Sequence, residues 1–295
     1  MKTKLFLVAG IILSLSAWAQ TNSQTTPAVE PLSPMPVFHV TVTSRSVQAV
    51  NYKHRSGASK LDFAGTDLMP AANGQAKVES KKGYTEIEAE FDELVPPDQY
   101  GREYLTYVLW AVTPQGRSLN LGELIRKGTR SKLDVTTDLQ SFGLIVTAEP
   151  YFAVTQPTDR VVLENYVRPD TKGVFQEITT HYELLDKNNL AYDRMPGELK
   201  PTLIDTSLPL DLQEARHAVN IAQWAGADRY APDLMSSTRD LLYKAEEYFV
   251  RKTGAKAMSM TARTVVQNAE DARLIAMNRR QNEERKPTPT PRRRK

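Results

Sequence analysis

The chain of 295 residues carries 38 Lys and Arg against 35 Asp and Glu, 40% apolar residues and no cysteine. At about 150 residues per domain this allows two domains with a sizeable core, and a net charge of +3 is too small to imply a nucleic-acid partner for the whole molecule. Without cysteine there is no disulfide scaffold, thiolate zinc site, cysteine nucleophile or acylated-cysteine anchor.

Residues 1–19 have the three parts of a secretory signal: Lys2 and Lys4 at the start, an apolar run over 5–15, and Ala17 and Ala19 at the positions a signal peptidase reads. An apolar run of about 11 residues falls short of the roughly 20 needed to span a bilayer. No later stretch is apolar enough to do so. The expectation is a mature chain starting at Gln20, secreted across the inner membrane and periplasmic, with outer-membrane association open. Residues 20–36 are polar and punctuated by Pro27, Pro31, Pro34 and Pro36, which reads as an extended, disordered linker.

Residues 37–185 have strand character. Residues 37–42 and 47–52 are rich in β-branched side chains. Residues 84–91 alternate, with Thr85, Ile87, Ala89 and Phe91 on one face and Tyr84, Glu86, Glu88 and Glu90 on the other. Lys81, Lys82 and Gly83 can close a hairpin back to residues 76–80. Residues 104–112 are apolar nearly throughout, as in a central strand covered on both sides, and Thr113-Pro114-Gln115-Gly116 suits a type I turn. Further strands are expected near 119–124, 132–136, 142–147 and 161–167, and residues 173–185 suit one more strand pair or an extension of the sandwich. Many short strands separated by turn residues predict a two-sheet, Ig-like β-sandwich.

Residues 186–210 hold Pro196-Gly197, Pro201 and Pro209 and read as a linker. Over 211–280 the period becomes helical. Asp211 can cap, with Glu214 in the capping-box position. Ala215, Ala218, Ala222 and Ala225 form a small-residue stripe, Gly226 ends that helix, and Pro232 starts the next at its first position. Leu234, Leu241, Ala245, Tyr248 and Phe249 continue a buried face. Thr253-Gly254 breaks the chain before a third helix over 255–280. The expected unit is an antiparallel helical hairpin or three-helix unit. Residues 281–295 form a disordered basic tail.

No motif supplies a reaction: there is no P-loop, dinucleotide fingerprint, nucleophile elbow or H-E-x-x-H, and His39, His54, His181 and His217 lack ligand spacing. No catalytic, cofactor-binding or metal-binding residue is therefore expected. Glu86, Glu88 and Glu90 share one strand face, where three carboxylates can hold a cation or act as an acid/base set, although a solvated strand needs such a face anyway. Tyr100, Tyr104, Tyr107 and Trp110 can stack on sugar rings or pack a core. Arg292, Arg293, Arg294 and Lys295 can contact a polyanion such as anionic lipid or wall polymer.

Residues 215–219 (ARHAV), 222–232 (AQWAGADRYAP) and 241–246 (LLYKAE) resemble an alanine-rich helical domain of bacterial envelope proteins, whose pattern is A-x-x-A-G-A-x-x-Y-A-P followed by a helix. Members often precede an outer membrane protein A (OmpA)-like domain that grips peptidoglycan, and this chain stops where such a domain would begin. Residues 104–124 and 136–154 are similar to the N-terminal part of envelope proteins from soil bacteria, and residues 109–112 with Gly116-Arg117 look weakly like the extracytoplasmic domain of some anti-sigma factors. Those factors place a transmembrane helix before the domain, which this chain replaces with its signal. The leading expectation is a non-enzymatic envelope structural or adaptor protein whose partner is peptidoglycan or another envelope protein. The alternative is a glycan- or peptidoglycan-binding module using exposed aromatics. A third reading, a hydrolase assembled from dispersed carboxylates, requires a pocket holding two acidic groups with perturbed pKa values.

Overall fold

The computed structural model describes residues 47–52, 57–168, 171, 174–178, 205 and 207–285. The expectations for the signal, the proline-rich lead, the strand over 37–42, most of the 186–210 linker and the Arg292–Lys295 tail lie outside these residues.

Among the described residues there are ten strands: β1 (Val47–Asn51), β2 (Ser59–Gly65), β3 (Asn73–Ser80), β4 (Thr85–Asp92), β5 (Thr106–Val112), β6 (Ser118–Glu123), β7 (Ser131–Thr137), β8 (Ser141–Glu149), β9 (Val161–Tyr166) and β10 (Val174–Ile178). They are antiparallel, and β8, β9, β2, β3, β4 and β7 follow one another around a single sheet while β5 joins β8 to β6. β6 then lies beside β7, so the sheet curls into a nearly closed barrel. β1 and β10 pair with each other at its margin, where β1 joins the start of β8. The expected two-sheet sandwich is thus not what forms. The strand that decides it is β2, whose alternation (Ser59, Leu61 and Phe63 buried, Lys60 exposed) is short and diluted by glycine and alanine. β2 bridges β9 and β3 and so carries the sheet round.

The β6–β7 gap is filled by side chains. Leu119 and Leu121 of β6 and Leu133 and Val135 of β7 pack against the barrel core. Gly122 beside the β5–β6 bulge takes φ 144, which a side-chain-bearing residue avoids, and Leu133 and Val135 cover it.

The interior is filled by Leu61, Phe63, Ile87, Phe91, Tyr107, Leu109, Phe142, Leu144 and their neighbours, with Phe63 and Phe91 edge to face at 4.9 Å. The alternation of β4 falls as read: Thr85, Ile87, Ala89 and Phe91 are buried and Glu88 and Glu90 exposed. Lys77 and Lys132 neutralise that outer face from the adjacent strands at 3.1 and 3.3 Å. β5 is buried on both faces. Tyr107, Leu109 and Ala111 point into the barrel, while Val108, Trp110 and Val112 belong to a second core shared with the helices. The turn after it closes with Gly116 N–H donating to Thr113 C=O at 2.9 Å.

The helices are α1 (Leu210–Trp224), a single turn α2 (Ala227–Tyr230), α3 (Pro232–Val250) and α4 (Ala255–Glu284). None of the described helices is long and apolar enough to cross a membrane. Gly226 at φ 92 ends α1 and Gly254 at φ 84 precedes α4, at the expected breaks. Pro232 occupies the first turn of α3. The capping box does not form. Pro209 holds the cap position without a side-chain bond, Asp211 accepts from Ser259 Oγ of α4 at 2.5 Å, and Glu214 is fully buried. Ala215, Ala218 and Ala222 on α1, Ala225 at its C-terminal cap, and Ala262, Ala269, Ala272 and Ala276 on α4 are buried, which lets the axes approach closely. The helices bury themselves on the outer wall of β5, β8 and β9, giving the two regions one common core.

Candidate functional site: buried charges between barrel and helices

The outer wall under the helices holds buried carboxylate and guanidinium groups, in two clusters, where the barrel interior holds apolar side chains and a few hydroxyls. In the first, Glu149 ends β8 with its whole side chain covered. Its Oε1 accepts from Thr147 Oγ1 and from Thr158 N–H (2.8 Å), and Trp110 Nε1 donates to Thr147 Oγ1 at 2.7 Å. Oε2 has no partner among the described residues. Burial pushes the Glu149 carboxyl up to about 8 against the opposing pull of the Thr147 and Thr158 hydrogen bonds.

Beside it, α4 inserts Glu270 and Arg273, one turn apart and joined by two 2.7 Å hydrogen bonds. Glu270 also accepts from Tyr151 Oη (2.7 Å), Thr155 Oγ1 (2.7 Å) and Thr155 N–H (3.2 Å), so one carboxylate ties α4 to the loop after β8. Burial raises its pKa, but the Arg273 guanidinium and these donors together outweigh that and hold the carboxyl below its ordinary value. The third nitrogen of Arg273 contacts Met277 Sδ at 2.9 Å.

The second cluster lies at the start of α1. Arg263 of α4 donates to Glu123 Oε2 of β6 (2.8 Å) and Asp211 Oδ1 (3.1 Å), and its guanidinium sits 3.7 Å from the centre of the Phe152 ring. Thr106 Oγ1 donates to Glu123 Oε1 at 2.9 Å. Glu214 is buried next to this group, and neither of its oxygens has a hydrogen-bond partner among the described residues. As two carboxylates, Glu214 and Glu123 have no donor between them. A proton on Glu214 supplies one, and burial followed by the Glu123 charge raises its pKa well above the usual range to keep that proton in place.

A cleft of about 390 Å³ opens nearby, lined by Pro96, Pro97, Leu105, Leu124, Ile125 and Leu210 among others. Asp98 is its sole carboxylate, and neither Glu149 nor Glu214 lines it. The arrangement the hydrolase reading requires, two perturbed acids sharing one pocket, is therefore not formed by this cleft. Among the described residues no group of His, Asp and Glu is placed to hold a metal ion.

The aromatic group expected to stack on sugar is dispersed. Tyr104, Tyr107 and Trp110 are fully buried, Tyr107 inside the barrel and Trp110 on the opposite face of the same strand under the helices. Three residues along a strand reverse the side-chain direction, which separates them. Tyr100 is half-buried, with its hydroxyl on Leu68 C=O at 3.0 Å. These four do not form one open stacking face. Glu86, Glu88 and Glu90 line an outer face alongside Lys77, Lys81 and Lys132. In the sequence the charged seam leaves one local trace, Glu270 and Arg273 inside a stripe of alanines.

No family model, curated protein or solved structure matches this chain.

Proposed function

We propose that this protein is a non-enzymatic, secreted cell-envelope adaptor, working in the periplasm as a rigid spacer between the wall and another envelope component. The observation that carries the reading is the Glu270–Arg273–Tyr151–Thr155 clasp. It bonds α4 to the loop after β8 across more than a hundred residues of chain, which supports a single body presenting a barrel surface and a helical surface. Among the described residues the barrel interior is packed with apolar side chains, which directs attention to those surfaces. The signal-like start and the alanine-rich helical pattern support the compartment.

The test is co-sedimentation of residues 20–295 with purified peptidoglycan sacculi, beside a chain ending at Arg285, which leaves α4 whole. Binding that survives truncation and about 0.3 M salt supports a wall site on the folded body, since salt screens exposed charge. Binding lost on truncation assigns it to the basic tail. No binding by residues 20–295 removes the wall from the proposal.

A further inference from the structure

The α3–α4 turn has a composition that packing does not explain. Residues 248–260 (YFVRKTGAKAMSM) contain Arg251, Lys252 and Lys256 and no acidic residue. Val250 is 76% and Met260 61% exposed, while Tyr248 and Phe249 are half-buried against the core. The negative end of α3 accounts for Arg251, which also pairs with Glu247 at 2.6 Å, and for Lys252. It does not account for Lys256. That residue stands in the first turn of α4, where a cation faces the positive end of the helix and where no acidic residue is present.

A second basic turn lies at the same end of the molecule. Between β6 and β7, Ile125 is 54% exposed and is followed by Arg126, Lys127 and Arg130. Ile125 and Arg126 share the cleft with Leu210 and Gln213 of α1, and the neighbouring Asp211 is bonded to Ser259 and Arg263 of α4. The first turn of α1 thus connects the two basic turns. Asp92 pairs with Arg130 at 2.7 Å, and the exposed carboxylates at this end include Asp98 and Asp205. Among the described residues no carboxylate lies within ion-pair distance of Lys127, Lys252 or Lys256.

Single exposed apolar residues are ordinary on a protein surface. Here three of them sit within basic turns at one end. A wall polyanion would satisfy the lysines and leave Val250, Met260 and Ile125 in water, whereas a bilayer with anionic headgroups takes both kinds of side chain. We propose that this end of the molecule docks on an anionic lipid bilayer, with Lys252 and Lys256 at headgroup phosphates and Val250, Met260 and Ile125 at the acyl boundary. The inference names one of the two components joined and rests on the adaptor reading for its biological setting.

The test is flotation of residues 20–295 with vesicles of phosphatidylcholine alone and of phosphatidylcholine mixed with phosphatidylglycerol. The chain ending at Arg285 is run in parallel, so that the tail cannot supply the binding. Both chains are expected to float with the mixed vesicles and not with the neutral ones. Lys252→Glu/Lys256→Glu is expected to weaken binding on the order of 10- to 100-fold, and Val250→Ser/Met260→Ser to weaken it measurably, with a cooperative thermal transition retained in each. Loss of flotation on removing the tail overturns the proposal. So does a charge variant that fails while the apolar variant binds normally, the signature of a polyanion site. Vesicle binding without sacculus binding upholds the docking end and removes the wall from the adaptor reading. Sacculus binding without vesicle binding does the reverse.

Discussion

The barrel interior and the seam under the helices are equally buried and built on opposite chemistry. Inside the barrel, Leu61, Phe63, Ile87, Phe91 and Phe142 touch other apolar groups, and shape is what they contribute. At the seam, Glu149, Glu214, Glu270 and Arg273 are held in place of such residues, and each is tolerable because of a proton or a partner. The interior therefore fails by cavity formation and the seam by uncompensated charge. The two failures differ in whether a second substitution can repair them.

The largest effects test that difference. Arg273→Met leaves Glu270 buried without its cation, and the expected loss is about 3–5 kcal/mol in urea unfolding. Phe91→Ala is expected to cost a similar amount, about 3–5 kcal/mol, by leaving a cavity. Adding Glu270→Gln to Arg273→Met should recover most of the loss, because the stranded charge goes with it. Failure of the second substitution to restore stability would show that the seam is held by packing after all, like the interior.

The next effect is on pH. Folded-state pKa values of Glu149 and Glu214 lie above the ordinary 4.5, so between 4.5 and the folded value the native chain holds protons that the unfolded chain has lost. Stability contributed by each is present below about 4.5 and falls as pH rises, for Glu149 through about 8, with a slope on the order of 1 kcal/mol per pH unit per group. Thermal melting from pH 5 to 9 should show a decline, and Glu149→Gln should make it shallower by one group's share. Glu214→Gln keeps an amide donor for Glu123 and is expected to melt higher than the parent at pH 8. A melting temperature flat over this range in the parent chain would contradict the buried-proton account.

How much of this could be read from the sequence follows from the range of each interaction. The alternation of β4 and the two-sided burial of β5 are local patterns, and both hold. Gly226, Pro232 and Gly254 punctuate the helices for equally local reasons, a positive φ or a missing N–H. Closure was not legible. It depends on β2, a weak pattern between two distant partners, and on β6 and β7 meeting through side chains. The seam was less legible still. Tyr151 and Glu270 are 119 residues apart, and nothing near Asp211 shows that its carboxylate and Glu214 turn toward β6 and α4 instead of capping their own helix. Both residues match a capping box in spacing, and tertiary partners override that local preference.

His217 reverses the sign of the pH effect and bears a smaller load. It is nearly buried on α1, and desolvation brings its pKa down to about 4 from 6.5, against the opposing bond to the Glu103 backbone. Between those values the unfolded chain binds the proton and the folded chain does not, so this contribution is present above 6.5 and is lost as pH falls toward 4. The parent chain should consequently lose stability on both sides of a mildly acidic optimum. His217→Gln should remove this opposing slope between about 4 and 6.5 and leave the decline above 6.5 unchanged. A change in the decline above 6.5 would place His217 in the same coupled group as Glu214.

The smallest effect is expected on the outer face of β4. Lys77 and Glu88 are 3.1 Å apart with about half of each side chain in water. Solvent screens the attraction, and ordering two long side chains offsets much of what is left, so Glu88→Gln should change stability by less than about 1 kcal/mol and less again at high salt. The charge removed equals that of Glu270, and the difference in outcome isolates burial as the cause. A loss approaching that of Arg273→Met would mean that the Glu86, Glu88 and Glu90 face is covered by something in solution, and the carboxylate row would then become a docking surface in its own right.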